Sequence, residues 1–131
     1  MSLQIHTALL LVALALAAAV GGMLRFAIAN VIARRWGVQF PLGTLLVNSS
    51  AALMMGLLAA WLAVFPAYTG WGQVIAGGLL GSYSTVSSFS LQTLILWQSH
   101  HYRQVLLNIG LSFGLCLSLV LVGFKLGNLI W

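Results

Sequence analysis

The chain has 131 residues and contains neither aspartate nor glutamate. Only 4% of its residues are charged, whereas 62% are hydrophobic. A soluble domain typically has about a quarter of its residues charged, so this composition excludes a water-soluble globular protein. The missing carboxylates also exclude acid–base catalysis by Asp or Glu and proton-coupled export of small cations, which needs a carboxylate inside the membrane. The remaining charge, +5, favours an anion as ligand. We expect no enzyme and no nucleic-acid partner.

Four apolar stretches are long enough to cross a bilayer, which takes about 20 residues per helix. They cover residues 7–32, 40–65, 71–97 and 105–130 and use most of the chain. The first stretch differs from a signal peptide because no Lys or Arg precedes it and three more spans follow. The pattern predicts one all-α domain of four transmembrane helices, and its small size predicts assembly with a second copy.

The distribution of basic residues favours one orientation of the chain in the membrane, but only weakly. Arg34, Arg35 and Arg103 fall in the two loops that follow the first and third spans, whereas Lys125 lies near the opposite side. The positive-inside rule places those two loops in the cytoplasm. A bias of this size leaves insertion in both directions open.

Polar side chains inside the first two spans have two interpretations each. Arg25 follows two glycines late in the first span, where it either extends to the interface or lines an anion vestibule. Thr44 and Asn48 are four residues apart in the second span and therefore share one helix face. Asn48 either makes an interhelical hydrogen bond or lines a polar pathway.

The third span combines glycines with a run of hydroxyl residues near mid-membrane. Gly77, Gly78 and Gly81 precede seven Ser or Thr residues between positions 82 and 93. Glycine weakens a helix, and non-helical backbone at this depth is tolerated only when it is buried in protein or lines a wet cavity. We expect a helix break at residues 81–85, where ions bind; close small-residue packing is the alternative.

If the helix resumes after this break, its hydroxyls are expected to align. Ser84 with Ser87, and Thr85 with Ser88, form two adjacent pairs spaced three residues apart. Phe89 follows them, and the positively polarised edge of its ring suits an anion.

Three segments resemble the Fluc/CrcB family of small fluoride channels. The Gly-rich stretch with a late Arg in that family's first helix is matched by residues Gly21 to Arg25. Its Pro-Leu-Gly-Thr-Leu-x-x-Asn motif is matched by Pro41 to Asn48, and its Gly-Phe-Cys-Gly-Gly-Leu-Thr-Thr-Phe-Ser-Thr-Phe-Ser-x-Glu motif aligns without a gap with Gly78 to Gln92.

The resemblance implies a bacterial inner-membrane protein that forms antiparallel, dual-topology dimers with two fluoride pores. It also implies a structural sodium ion at the dimer axis, held by the backbone carbonyls of Gly81 and Ser84. The pore and anion-binding residues that we expect are Asn48, Phe89, Ser87, Ser88, Thr85, Thr44 and Arg25. The function implied is passive, fluoride-selective export.

Two departures from the family motif leave alternatives open. Val86 stands where the family has a first Phe, and Gln92 stands where it has Glu. The missing ring is compatible with one subunit of a heterodimeric channel, whose paralogous partner supplies the aromatic side chain. It is also compatible with a non-conducting or repurposed homologue of altered anion selectivity.

Overall fold

A computed structural model describes residues 2–131 of the chain. In this described part every regular element is helical. The elements are α1 (Ser2–Trp36), α2 (Leu42–Val64), a 3₁₀ turn (Pro66–Tyr68), α3 (Thr69–Gln73), a π-helix (Val74–Leu80), α4 (Gly81–Tyr83), α5 (Val86–Gln98) and α6 (Tyr102–Ile130). Four helical segments are long and apolar enough to span a membrane, the third being Pro66–Gln98. The predicted four-span helical fold with a broken third span is confirmed.

Helices α2 and α6 form the most extensive interhelical contact, and they run parallel. A Cβ atom at Gly56 would overlap the carbonyl oxygen of Val120, and one at Gly123 would overlap the carbonyl oxygen of Leu53. The backbones approach closely because these positions have no side chain, which is how membrane helices gain van der Waals contact. By contrast, a Cβ at Gly114 would meet no other atom within 4 Å.

Helix α1 packs against the first half of the third span in the same manner. A Cβ at Gly21 would overlap the carbonyl oxygen of Leu79, and one at Gly78 would lie 2.9 Å from the carbonyl oxygen of Leu14. This first half contains the π-helix, a rare geometry that often occurs next to functional sites. The contact holds the first half in place, up to the point where the span breaks.

The break lies at Ser84 and Thr85. Ser84 has φ −74° and ψ 158°, and Thr85 has φ −152° and ψ 124°, so both residues are extended between two helices. Thr85 caps α5, because its Oγ1 accepts a hydrogen bond from the backbone N–H of Ser88 at 3.2 Å. The predicted break at residues 81–85 is therefore confirmed, in its last two residues.

Tyr83 anchors the chain just before the break. Its side chain is buried against Val47 and Ala51 of α2. Its hydroxyl lies 2.9 Å from Oγ of Ser50, which also donates to the carbonyl oxygen of Val47. Helix α2 thus contacts the third span on the N-terminal side of the break, through both apolar and polar atoms.

Candidate functional site

The side-chain amide of Asn48 pairs with the peptide groups of Thr85. Its Nδ2 donates to the carbonyl oxygen of Thr85 at 2.9 Å, and its Oδ1 accepts from the backbone N–H of Thr85 at 2.8 Å. An Asn amide has two N–H donors, and Thr85 uses one of them. The interhelical-bond interpretation of Asn48 thus holds, and one N–H donor remains available beside the break.

The hydroxyls after the break cluster around the start of α5. Oγ1 of Thr85 lies 3.1 Å from Oγ of Ser87 and 3.2 Å from Oγ of Ser88. The expected stripe of paired hydroxyls is wrong for Ser84, whose hydroxyl turns back to the carbonyl oxygen of Leu80 at 2.9 Å. The reason is that Ser84 and Thr85 lie outside the helix that contains Ser87 and Ser88.

The same extended residues deprive the carbonyls of Gly81 and Ser84 of their usual helical donors. In an unbroken helix the N–H of Thr85 would bind the carbonyl of Gly81, and the N–H of Ser88 would bind that of Ser84. Here those N–H groups bind Oδ1 of Asn48 and Oγ1 of Thr85. Both carbonyl oxygens predicted to hold a cation have therefore lost the donors that normally bind them.

A groove of about 500 Å³ lies beside the break and is open along one side. The predicted residues Asn48, Thr85 and Phe89 line it together with Ser84. The ring of Phe89 meets the ring of Phe113 nearly perpendicularly, at 85°, with centroids 6.3 Å apart. The other lining residues are Ala51, Ala52, Met55, Leu80, Val86, Ser112, Cys116, Leu117 and Val120.

A second cavity, also of about 500 Å³, lies one helical turn away, toward the basic loops. Thr44, which lines it, is one turn before Asn48 on α2, and Gln92 is one turn after Phe89 on α5. Oε1 of Gln92 is buried and has no hydrogen-bond partner. The two cavities therefore follow one another along α2 and α5, and the unpaired amide oxygen of Gln92 lies between the loop end and Asn48.

A chain of hydrogen bonds behind the groove joins α5 to α6. Nδ2 of Asn108 donates to Oγ1 of Thr93 at 2.9 Å, and Oγ1 of Thr93 donates to the carbonyl oxygen of Phe89 at 2.7 Å. Asn108 is almost fully buried, with 2% of its surface exposed. These bonds fix the helical turn that bears Phe89 relative to α6.

Arg25 does not join the other predicted residues. It is half-buried on α1 and lines neither cavity. The chain offers no side-chain carboxylate with which the guanidinium could pair. Within this single chain, Asn48, Thr85 and Phe89 come together in one groove, Thr44 lies in the adjacent cavity, and Arg25 stands apart.

Sequence reasoning missed the partners of these residues. Phe113 and Thr93 belong to no motif, and Gln92 stands out in the sequence only as a departure from one. A spacing signal existed for Thr93, which lies four residues after Phe89 and so bonds back along the same helix face. Phe113 is 24 positions beyond Phe89, and only the packing of α5 on α6 brings the rings together.

Comparison with known proteins identifies the family. Residues 12–124 match the family model described as CrcB-like protein, Camphor Resistance (CrcB). The chain is 36% identical over 112 residues to the fluoride-specific ion channel FluC of Coxiella burnetii, an alignment covering 82% of this chain and 89% of that protein.

Two further relatives give similar values. Identity is 37% over 121 residues with FluC 2 of Bradyrhizobium diazoefficiens, covering 89% of this chain and 88% of that protein. It is 40% over 115 residues with FluC 3 of Brucella suis, covering 86% and 85%. With four spans and this family match, the protein is a multi-pass membrane protein of the bacterial cell membrane, and the chain belongs to the CrcB family.

Proposed function

We propose that this protein conducts fluoride passively across the membrane, and that the groove at the break in the third span forms part of the pathway. The observation that supports this most directly is the Asn48 amide, which closes the break and keeps one N–H donor beside it. The names of the relatives, which are fluoride-specific ion channels rather than enzymes, point to the same ion.

The groove offers the kind of groups that a dehydrated small anion requires. A selective pore must replace the ion's hydration shell with its own polar groups. The free N–H of Asn48 and the ring edge of Phe89 are such groups, and the hydroxyls of Ser87 and Ser88 lie next to Thr85, just outside the groove lining. No carboxylate is present anywhere in the sequence to repel the anion or to couple its movement to protons. Transport therefore follows the fluoride gradient, which makes it export when cytoplasmic fluoride is high.

The proposed route enters at the loop end. An anion passes Thr44 and Gln92 in the outer cavity and reaches Asn48 and Phe89 one turn further in. The amide of Gln92 is buried without a partner for its oxygen, so this position can accept a hydrogen bond from water that accompanies the ion. Arg25 would attract anions at a vestibule once a second subunit completes the entrance.

A second, antiparallel subunit completes the site in this proposal. The groove that contains Asn48, Thr85 and Ser112 is open along one side. Hydrocarbon cannot satisfy those polar groups, and each unsatisfied group costs several kcal/mol. A protein surface is therefore expected to cover them. The subunit is either a second copy inserted in the opposite direction or a paralogue.

The freed carbonyls of Gly81 and Ser84 fit the sodium ion that the family resemblance implies. Hard cations take oxygen ligands, including backbone carbonyls, so the side-chain changes in this motif do not remove the ligands. The described residues hold no cluster of three or more His, Cys, Asp or Glu side chains that would bind a metal instead. The ion would fasten the two broken helices of a dimer to each other.

The test is efflux from liposomes that contain only this chain, measured with a fluoride electrode and, in parallel, a chloride electrode. The proposal predicts fluoride release without chloride release. Asn48→Ala should abolish it, whereas Asn128→Ala, at an exposed position near the end of α6, should not. If neither the chain alone nor the chain with a co-expressed paralogous subunit releases fluoride, the proposal is wrong.

A further inference from the structure

The groove contains an aromatic pair that the sequence motif does not describe. Phe89 belongs to the third span, and Phe113 to α6, yet their rings contact at 85° with centroids 6.3 Å apart. Val86, where an aromatic ring is missing from the motif, lines the same groove with 76% of its surface exposed. One ring therefore approaches from α6, in a groove whose α5 wall has the ring of Phe89 but none at position 86.

Buried hydrogen bonds hold the part of α6 that contains Phe113 against α5. Asn108 of α6 donates to Thr93 of α5, and Thr93 donates to the carbonyl of Phe89. These bonds join the two helices about one turn from the pair of phenylalanine rings. Asn108 is only 2% exposed, so this connection is shielded from competing partners. Phe113 itself is 61% exposed and remains accessible from the groove.

The geometry of the pair suits an anion. In a perpendicular pair, part of the positive rim of one ring lies on the negative face of the other. The rest of that rim, and the rim of the second ring, stay free to contact an ion in the groove. Asn48, whose amide keeps one N–H that Thr85 does not use, lines the same groove, so two rings and an amide group border one space.

We propose that Phe113 supplies the second aromatic ring of the anion pathway, in place of the ring that is absent at Val86. This inference rests on the proposed function and adds a selectivity residue on α6. If Phe113 supplies this ring, no paralogous partner is needed to provide it, because the chain itself contributes both aromatic rings.

The experiment compares fluoride and chloride efflux for unmodified protein, Phe113→Met, Phe113→Leu, Phe113→Tyr and the matched control Phe124→Met in liposomes. Phe124 is on the same helix and outside the groove. Loss of a ring-edge contact should slow fluoride efflux about three- to tenfold in the Met and Leu variants. The Tyr variant keeps a ring edge and should stay within about twofold, as should the control. Two non-aromatic variants are used so that poor folding of one does not decide the result; each is checked by size exclusion.

A rescue variant shows whether Phe113 contacts the anion or only packs between helices. Adding Val86→Phe to Phe113→Met places a second ring on α5, beside Phe89 in the groove, and should restore at least half of the lost rate. Equal rates for Phe113→Met and unmodified protein would overturn the inference but leave the proposed function intact. A slow Phe113→Met variant that Val86→Phe does not restore would also overturn it, because Phe113 would then act only in packing. No fluoride release from unmodified protein would overturn both proposals.

Discussion

Helix α2 makes two contacts that use small and polar residues in opposite ways. Toward α6, Gly56 and Gly123 bring two backbones together and leave no space between them. Toward the third span, Asn48 bonds to a peptide in extended backbone, and an open groove lies beside it. The first contact is closed and apolar, and the second is open and polar. Small residues in a membrane helix therefore do not by themselves indicate whether a contact is closed packing or part of an ion pathway. The two contacts differ in the backbone: the helices are continuous at the first, and the helical hydrogen bonds are interrupted at the second.

The largest effect on stability is expected at the closed contact between α2 and α6. Gly56→Ala would force a methyl group onto the carbonyl oxygen of Val120, which is backbone and cannot move aside. Overpacking costs about 1–3 kcal/mol, and a backbone clash should reach the upper end or abolish folding. The free energy of unfolding in detergent micelles measures this loss. Gly114→Ala on α6, where a Cβ meets nothing within 4 Å, is the control and should change little.

The next effect is expected at Asn48. Asn48→Ala removes both bonds to the Thr85 peptide and leaves its N–H without an acceptor. A buried polar group left unsatisfied costs about 1–3 kcal/mol, so we expect a loss of about 2 kcal/mol in the free energy of unfolding. Thermal unfolding of the purified protein, with Asn128→Ala as control, measures it. Unchanged stability would mean that the amide does not support the break.

A smaller effect should appear at the cap of α5. Thr85→Val keeps the shape of the side chain but removes the oxygen that accepts from the N–H of Ser88. Losing such a cap costs about 1 kcal/mol, whereas Thr85→Ser keeps the oxygen and should stay within a few tenths. The difference between the two melting curves reports the cap alone. Equal curves would show that the hydroxyl is not needed to restart the helix.

The smallest effect is expected where α5 and α6 meet. Asn108→Leu and Thr93→Val each break the bond between Nδ2 of Asn108 and Oγ1 of Thr93. Hydrogen bonds between membrane helices contribute about 0.6 kcal/mol on average in double-mutant cycles. The single variants and the double variant, unfolded in the same detergent, should give a coupling energy of that size. Additive effects would show that the two side chains do not interact.

The sequence was sufficient for features that depend on local pattern. Four spans followed from the length of the apolar stretches, and the break followed from glycines leading into hydroxyls at Ser84 and Thr85. The pairing of Asn48 with Thr85 was not predictable, because it joins residues 37 positions apart and depends on how two helices cross. The contact between Phe89 and Phe113 was not predictable for the same reason, because it depends on how α5 packs on α6. Ser84 was misplaced because helical spacing was applied across residues that are not helical.

The groove at the break either conducts an anion, as proposed, or merely separates the helices, and Asn48 distinguishes the two. Paired fluoride and chloride efflux from liposomes, for unmodified protein and Asn48→Ala at equal protein content, tests this most directly. We expect fluoride release without chloride release from the unmodified chain, and loss of fluoride release in Asn48→Ala. Fluoride release that is unaffected by Asn48→Ala would show that the pathway does not pass the amide and would place it elsewhere.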